Sequence, residues 1–145
     1  MTRSKKAKDL GTRAVYAGSF DPITNGHLDI VHRALNVFDE VIVAVAYTTS
    51  DPKKSNTLFT PDERVDMIRE TLGDTGGRAR ADSFTGLLVD YCDRVDAHVS
   101  IRGLRAVSDF EYEFPMAMMN RHLTRHTATM FMAASEAHFT TSSRP

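Results

Sequence analysis

Apolar positions along this chain follow two spacings that alternate. Arg13–Ala17 ("RAVYA") is a short run rich in β-formers and reads as a strand. Glu40–Tyr47 ("EVIVAVAY") reads as a second strand, apolar enough to be buried on both faces. Between them Ile30, Val31, Ala34, Leu35 and Phe38 fall at i, i+1, i+4, i+5 and i+8, one face of a helix. Strand, helix and strand in that order form a βαβ unit, which calls for parallel strands and a right-handed crossover.

The alternation continues. "TPDERVDMI" opens a helix, with Thr60 as candidate N-cap, Pro61 at the first helical position and Glu63 completing a capping box. "LGDTGG" stops it with glycines. A strand near Arg78–Ser83, a helix from about Leu87 to Arg94 and a fourth strand, "AHVSIR", follow. A longer helix is expected from Ser108 or Asp109 through Leu123, with Pro115 kinking it or ending its first part. "TATMFMA" is a fifth strand. The order predicts an α/β fold, a Rossmann-like, doubly wound, five-stranded parallel sheet in a single domain. Ligands of such sheets bind beyond the carboxyl ends of strands, so the loops after strands one, two and four matter most.

Composition narrows the classes. A chain of 145 residues with 41% apolar side chains can fill one core. Eighteen basic against nineteen acidic side chains leave a formal charge of −1. That balance offers no general attraction to nucleic acid or membrane, so any basic site is local. Cys92 is the one cysteine, which excludes an intrachain disulfide and a multi-cysteine metal site and fits a reducing cytoplasm. The basic start "MTRSKKAKDL" lacks an apolar stretch behind it, so residues 1–11 read as a mobile tail and 12–145 as the domain. No run of about 18 apolar residues would span a bilayer. His98, His122, His126 and His138 lack ligand spacing with any carboxylate cluster, and no metal site is assigned.

The chemistry concentrates in "GSFDPITNGHLDI", Gly18–Ile30, where the first strand gives way to a helix. A loop leading into a helix N-terminus is an anion site, because free N–H groups and the helix dipole both favour phosphate. Gly18 and Gly26 let backbone approach a ligand, Pro22 stiffens the bend, and Ser19 and His27 supply donors. Alone, the Gly-His pair reads more readily as a turn with a helix-start histidine. Neither the Walker spacing nor the dinucleotide fingerprint occurs here. "IRGLR" adds Arg102 and Arg105 beyond strand four, and a guanidinium fork suits phosphate. "DPKKSN" adds Lys53 and Lys54 after strand two.

The whole string "YAGSFDPITNGHLDIV" resembles the first motif of the HxGH-type nucleotidyltransferases, and more closely that of the bacterial phosphopantetheine adenylyltransferases, with Thr24 where the superfamily has its first histidine. "FTPDERVDMI", "IRGLRAVSDFEYEFPMAMMNRHL" and "AHFTTSS" follow in matching order, so the likeness spans roughly Ala14–Ser143. The resemblance implies transfer of AMP from ATP to 4′-phosphopantetheine, giving dephospho-coenzyme A and pyrophosphate, by direct attack with magnesium on the nucleotide. It implies catalytic roles for His27, Lys53 (or Lys54, the register being open) and Arg102. By the same likeness ATP meets Ser19, Phe20, His27, Gly103, Leu104, Arg105 and Glu113, then Ala137, His138, Phe139, Thr140, Thr141, Ser142 and Ser143. The acceptor meets Ser19, Lys53, Leu88 and Arg102. Tyr112 contacts ligand or packs. Met116, Met118 and Met119 suit a core or a subunit interface, since the family assembles as hexamers, and coenzyme A is expected to inhibit. The family's closing helix after the serine-rich turn is absent from "FTTSSRP". Two other readings stand beside this one, a related nucleotidyltransferase acting on nicotinamide mononucleotide and a nucleotide-binding module without turnover.

Overall fold

The computed structural model describes residues 13–48, 57–104, 114–120 and 127–133. Five strands form one sheet: β1 (Arg13–Gly18), β2 (Glu40–Ala46), β3 (Ala79–Phe84), β4 (Val99–Leu104) and β5 (Ala128–Ala133). Three helices separate them, α1 (Asn25–Ala34), α2 (Pro61–Leu72) and α3 (Leu88–Arg94), and residues 114–120 are also helical. Every pairing is parallel and the order is β3-β2-β1-β4-β5. The chain winds outward from β1 in both directions, so the crevice between β1 and β4 is the topological switch point.

Alternation along the strands makes two cores. Ala14 and Tyr16 of β1 face α1 and α2, joining Ile30, Val31, Val65 and Ile68. Val15 and Ala17 face α3, joining Phe84, Tyr91 and Cys92. Val41 to Val45 are wholly buried, as a central strand covered on both sides requires.

Local chemistry explains the helix ends. Thr60 accepts from the Glu63 N–H at 3.1 Å, and the Glu63 carboxylate accepts from the Thr60 N–H at 2.9 Å. Pro61 opens α2, and Gly73 closes it at a φ of 58°. The first helix is shorter than its apolar spacing suggests. It ends at Ala34 with Leu35 as C-cap, and Phe38 is buried from the turn beyond, where its N–H and that of Val37 both donate to the Ala34 carbonyl. Arg78 stands just outside β3, donating to the carbonyls of Asp39 and Phe38, so that strand begins one residue later and runs to Phe84. Beta-4 runs on through Gly103 and Leu104 because both pair with β5. The tail over 1–11, the chain end and the expected helix on either side of 114–120 lie outside the described residues.

Candidate active site

The join of β1 and α1 is built from its own side chains. Phe20 takes a left-handed φ of 45° and is 2% exposed. Its ring meets Tyr16 and His27 edge-on, at centroid distances of 5.1 and 4.9 Å. A Cβ on Gly18 would lie 3.3 Å from that ring, so glycine there admits the phenyl group. With the Phe20 side chain in the core, only its backbone is available to a ligand.

His27 sits at the third helical position and closes a capping box with Thr24. The Thr24 Oγ1 accepts from the His27 N–H at 3.3 Å, and the Thr24 N–H donates to His27 Nδ1 at 3.0 Å. A ring that accepts on Nδ1 carries its proton on Nε2 when neutral. The helix start therefore fixes both the orientation of the imidazole and its tautomer, presenting an N–H donor on the side away from the cap. The cap engages one edge of the ring, and Nε2 lies on the opposite edge.

A second layer braces this loop. The Asp21 carboxylate accepts from the N–H groups of Leu58 and Phe59, the latter at 2.9 Å. Arg64, on α2 and 3% exposed, donates from Nη1 to the Ser19 carbonyl at 2.8 Å and from Nε to the Phe59 carbonyl at 3.1 Å. Sequence reasoning missed Arg64 and Asp21. The available signal was a charged residue one before Val65 and four before Ile68, on the buried stripe of its helix.

Across the switch point, Arg102 is half-buried and donates from Nη1 to the Ala17 carbonyl at 3.0 Å. It lines a cavity of about 350 Å³ with Ala17, Phe84, Leu88, Met116 and Asn120. Arg102 and Leu88, 14 residues apart in sequence, thus share one apolar pocket that holds a single cationic group among the described residues. Gly103 packs beneath the α1 side, where a Cβ would stand 2.5 Å from Ile30 Cδ1. Burial holds the Tyr16 hydroxyl in its neutral form, with the Arg102 charge opposing that shift. A second hollow of about 750 Å³ opens beyond β2, lined by Tyr47, Thr48, Leu58 and Phe59.

Ser19 is exposed at the loop and Leu104 half-buried at the end of β4. Lys53, Lys54, Arg105, Tyr112, Glu113 and Ala137 through Ser143 lie outside the described residues. Among those described, no group of three His, Cys, Asp or Glu side chains is arranged to hold a metal ion.

A sequence model of the cytidylyltransferase-like family matches residues 15–144. A phosphopantetheine adenylyltransferase of Geotalea daltonii is 58% identical over 122 residues, spanning 84% of this chain and 73% of the relative. One of Syntrophus aciditrophicus is 53% identical over 130 residues, spanning 90% and 76%. The fold is similar to that of a lipopolysaccharide core biosynthesis protein from Thermoplasma volcanium, with a TM-score of 0.59 at 21% identity over 85% of this chain and 95% of the other.

Proposed function

Since this chain belongs to the phosphopantetheine adenylyltransferases, within the cytidylyltransferase-like family, we propose that its switch-point crevice is where AMP passes from ATP to 4′-phosphopantetheine. The chain is an enzyme of coenzyme A synthesis, and its products are dephospho-coenzyme A and pyrophosphate. The observation that carries the assignment of parts is the shared pocket of Arg102 and Leu88 at the edge of the sheet where His27 opens α1.

In that arrangement the acceptor's phosphate is gripped by the Arg102 fork, and the methyl and methylene groups of its arm lie on Ala17, Phe84 and Leu88. An oxygen of that phosphate attacks the α-phosphorus of ATP, a new P–O bond forms, and the bond to the β-phosphate oxygen breaks with pyrophosphate leaving in line. Negative charge gathers on the transferred group, and the Nε2–H of His27 is preorganised to meet it. Magnesium enters as part of the nucleotide substrate and neutralises its phosphates.

By family likeness Lys53 adds charge at the acceptor phosphate, while Ser19, Gly103, Leu104, Arg105, Glu113 and the segment Ala137–Ser143 hold ATP. A cytoplasmic location and restraint by coenzyme A belong to the same reading. Among the described residues no helix is long and apolar enough to cross a membrane.

The test is substrate by substrate. Arg102→Ala is expected to raise the acceptor KM and lower kcat together while leaving ATP binding nearly unchanged, and Arg105→Ala to weaken ATP. Arg102→Lys rescues in part, because a point charge lacks the two-pronged contact. Loss of ATP binding with a normal acceptor KM in Arg102→Ala would reverse the division of labour.

A further inference from the structure

Arg64 brings a full charge into the junction between the loop after β1 and the start of α2, at 3% exposure. Burying a charge is far more costly than burying an apolar group, and this one is compensated only in part by carbonyl dipoles. Its Nε donates to the carbonyls of Phe59 and Thr60 at 3.1 and 3.4 Å. Those bonds hold the guanidinium in a fixed plane against its own helix. One of the two remaining nitrogens, Nη1, reaches the other loop and donates to the Ser19 carbonyl at 2.8 Å.

The choice of that carbonyl has a geometric result. The cis peptide in this region is Asp21–Pro22, and the Ser19–Phe20 peptide is trans. A trans peptide holds its C=O and its N–H in one plane, pointing in opposite directions. With the Ser19 oxygen drawn toward Arg64, the Phe20 N–H is turned away from α2. The same residue holds a φ of 45° and keeps its ring 4.9 Å from that of His27. That backbone donor and the imidazole are therefore parts of one rigid corner, at the helix start where anions are favoured.

We propose that Arg64 is a positioning residue, which sets the Ser19–Phe20 peptide so that the Phe20 N–H serves as a phosphate donor beside His27. The proposal rests on the adenylyltransferase reading for its substrate and on the hydrogen bonds alone for its geometry. Arg64 itself touches no substrate.

Arg64→Lys keeps the charge and loses the second arm, so it separates position from charge. Its kcat is expected to fall by about tenfold or more, toward the loss of one oxyanion donor, with the acceptor KM unchanged within about twofold. A folded Arg64→Lys with normal kcat overturns the proposal. Independently of any variant, titrating the unsubstituted chain with inorganic tripolyphosphate is expected to move the Phe20 amide proton resonance downfield. An amide that stays in place while tripolyphosphate binds overturns the proposal even where Arg64→Lys does not fold. The two readings fail differently. An unsubstituted chain that releases no pyrophosphate from ATP and 4′-phosphopantetheine defeats the transferase reading, and the tripolyphosphate titration still decides the place of Phe20.

Discussion

Replacing His27 by alanine removes the Nδ1 that closes the α1 cap and the Nε2–H on the opposite edge, which the proposed mechanism uses as a donor. The two losses differ in size. One cap bond is worth about 1 kcal/mol of stability, whereas one preorganised donor to a transition state is worth on the order of 10²–10³ in kcat. His27→Ala is expected to melt close to the parent and to lose that much rate in pyrophosphate release. A near-normal kcat removes His27 from the mechanism. Cys92 offers a quieter check on the second core. It is wholly buried, and burial first, then Asp93, pushes its thiol up from 9.0 to about 11. The fold favours the protonated form, so this group's contribution is intact below pH 9.0 and is lost as pH rises through about 11. Iodoacetamide at about pH 8 is expected to leave the folded protein unlabelled and to label it once denatured. Rapid native labelling would mean that α3 does not cover the sulfur. At this scale the place of His27 at a helix start was legible, because glycine, proline and asparagine punctuate its loop. Arg64 was not, since what it does depends on a carbonyl 45 residues away.

Among the elements, the docking of α1 on β4 depends on a missing side chain. A Cβ at Gly103 would come 2.5 Å from Ile30 Cδ1 and 3.3 Å from the Tyr16 hydroxyl. Gly103→Ala is expected to cost about 1–3 kcal/mol by overpacking. Ile30→Val deletes the nearer atom, so the pair should lose less than the two changes summed, as a double-mutant cycle of denaturant midpoints would read. Strict additivity would place the cost elsewhere. Helix starts were the most legible elements, because Thr60, Pro61 and Glu63 announce α2 within four letters. Strand ends were less so. Beta-4 reaches Leu104 only because β5 lies beside it, and that partner is 24 or more residues downstream. The apolar spacing through Phe38 marks a buried side, not a continuous helix.

For the molecule as a whole, the order of strands and helices was enough to read a doubly wound sheet, and the switch point then says which loops meet. Order alone could not say that Arg102 and Leu88 would line one pocket; family likeness put both at the acceptor, and the β1–β4 pairing and the approach of residues 114–120 bring them together. That last segment exposes Phe114, Met116, Met118 and Met119, each by 45% or more. Exposed apolar side chains of this kind suit burial against other copies, and by family likeness we propose that the assembly is a hexamer. Light scattering at micromolar concentration is expected to give a hexamer, and a stable monomer would reject it.

The central claim is that this crevice transfers AMP from ATP to one acceptor, and turnover with the purified 145-residue chain tests it most directly. With ATP, magnesium and 4′-phosphopantetheine, pyrophosphate and dephospho-coenzyme A should appear in equal amounts, and nicotinamide mononucleotide should not replace the acceptor. ATP binding without pyrophosphate release, or faster turnover of nicotinamide mononucleotide, would contradict the account.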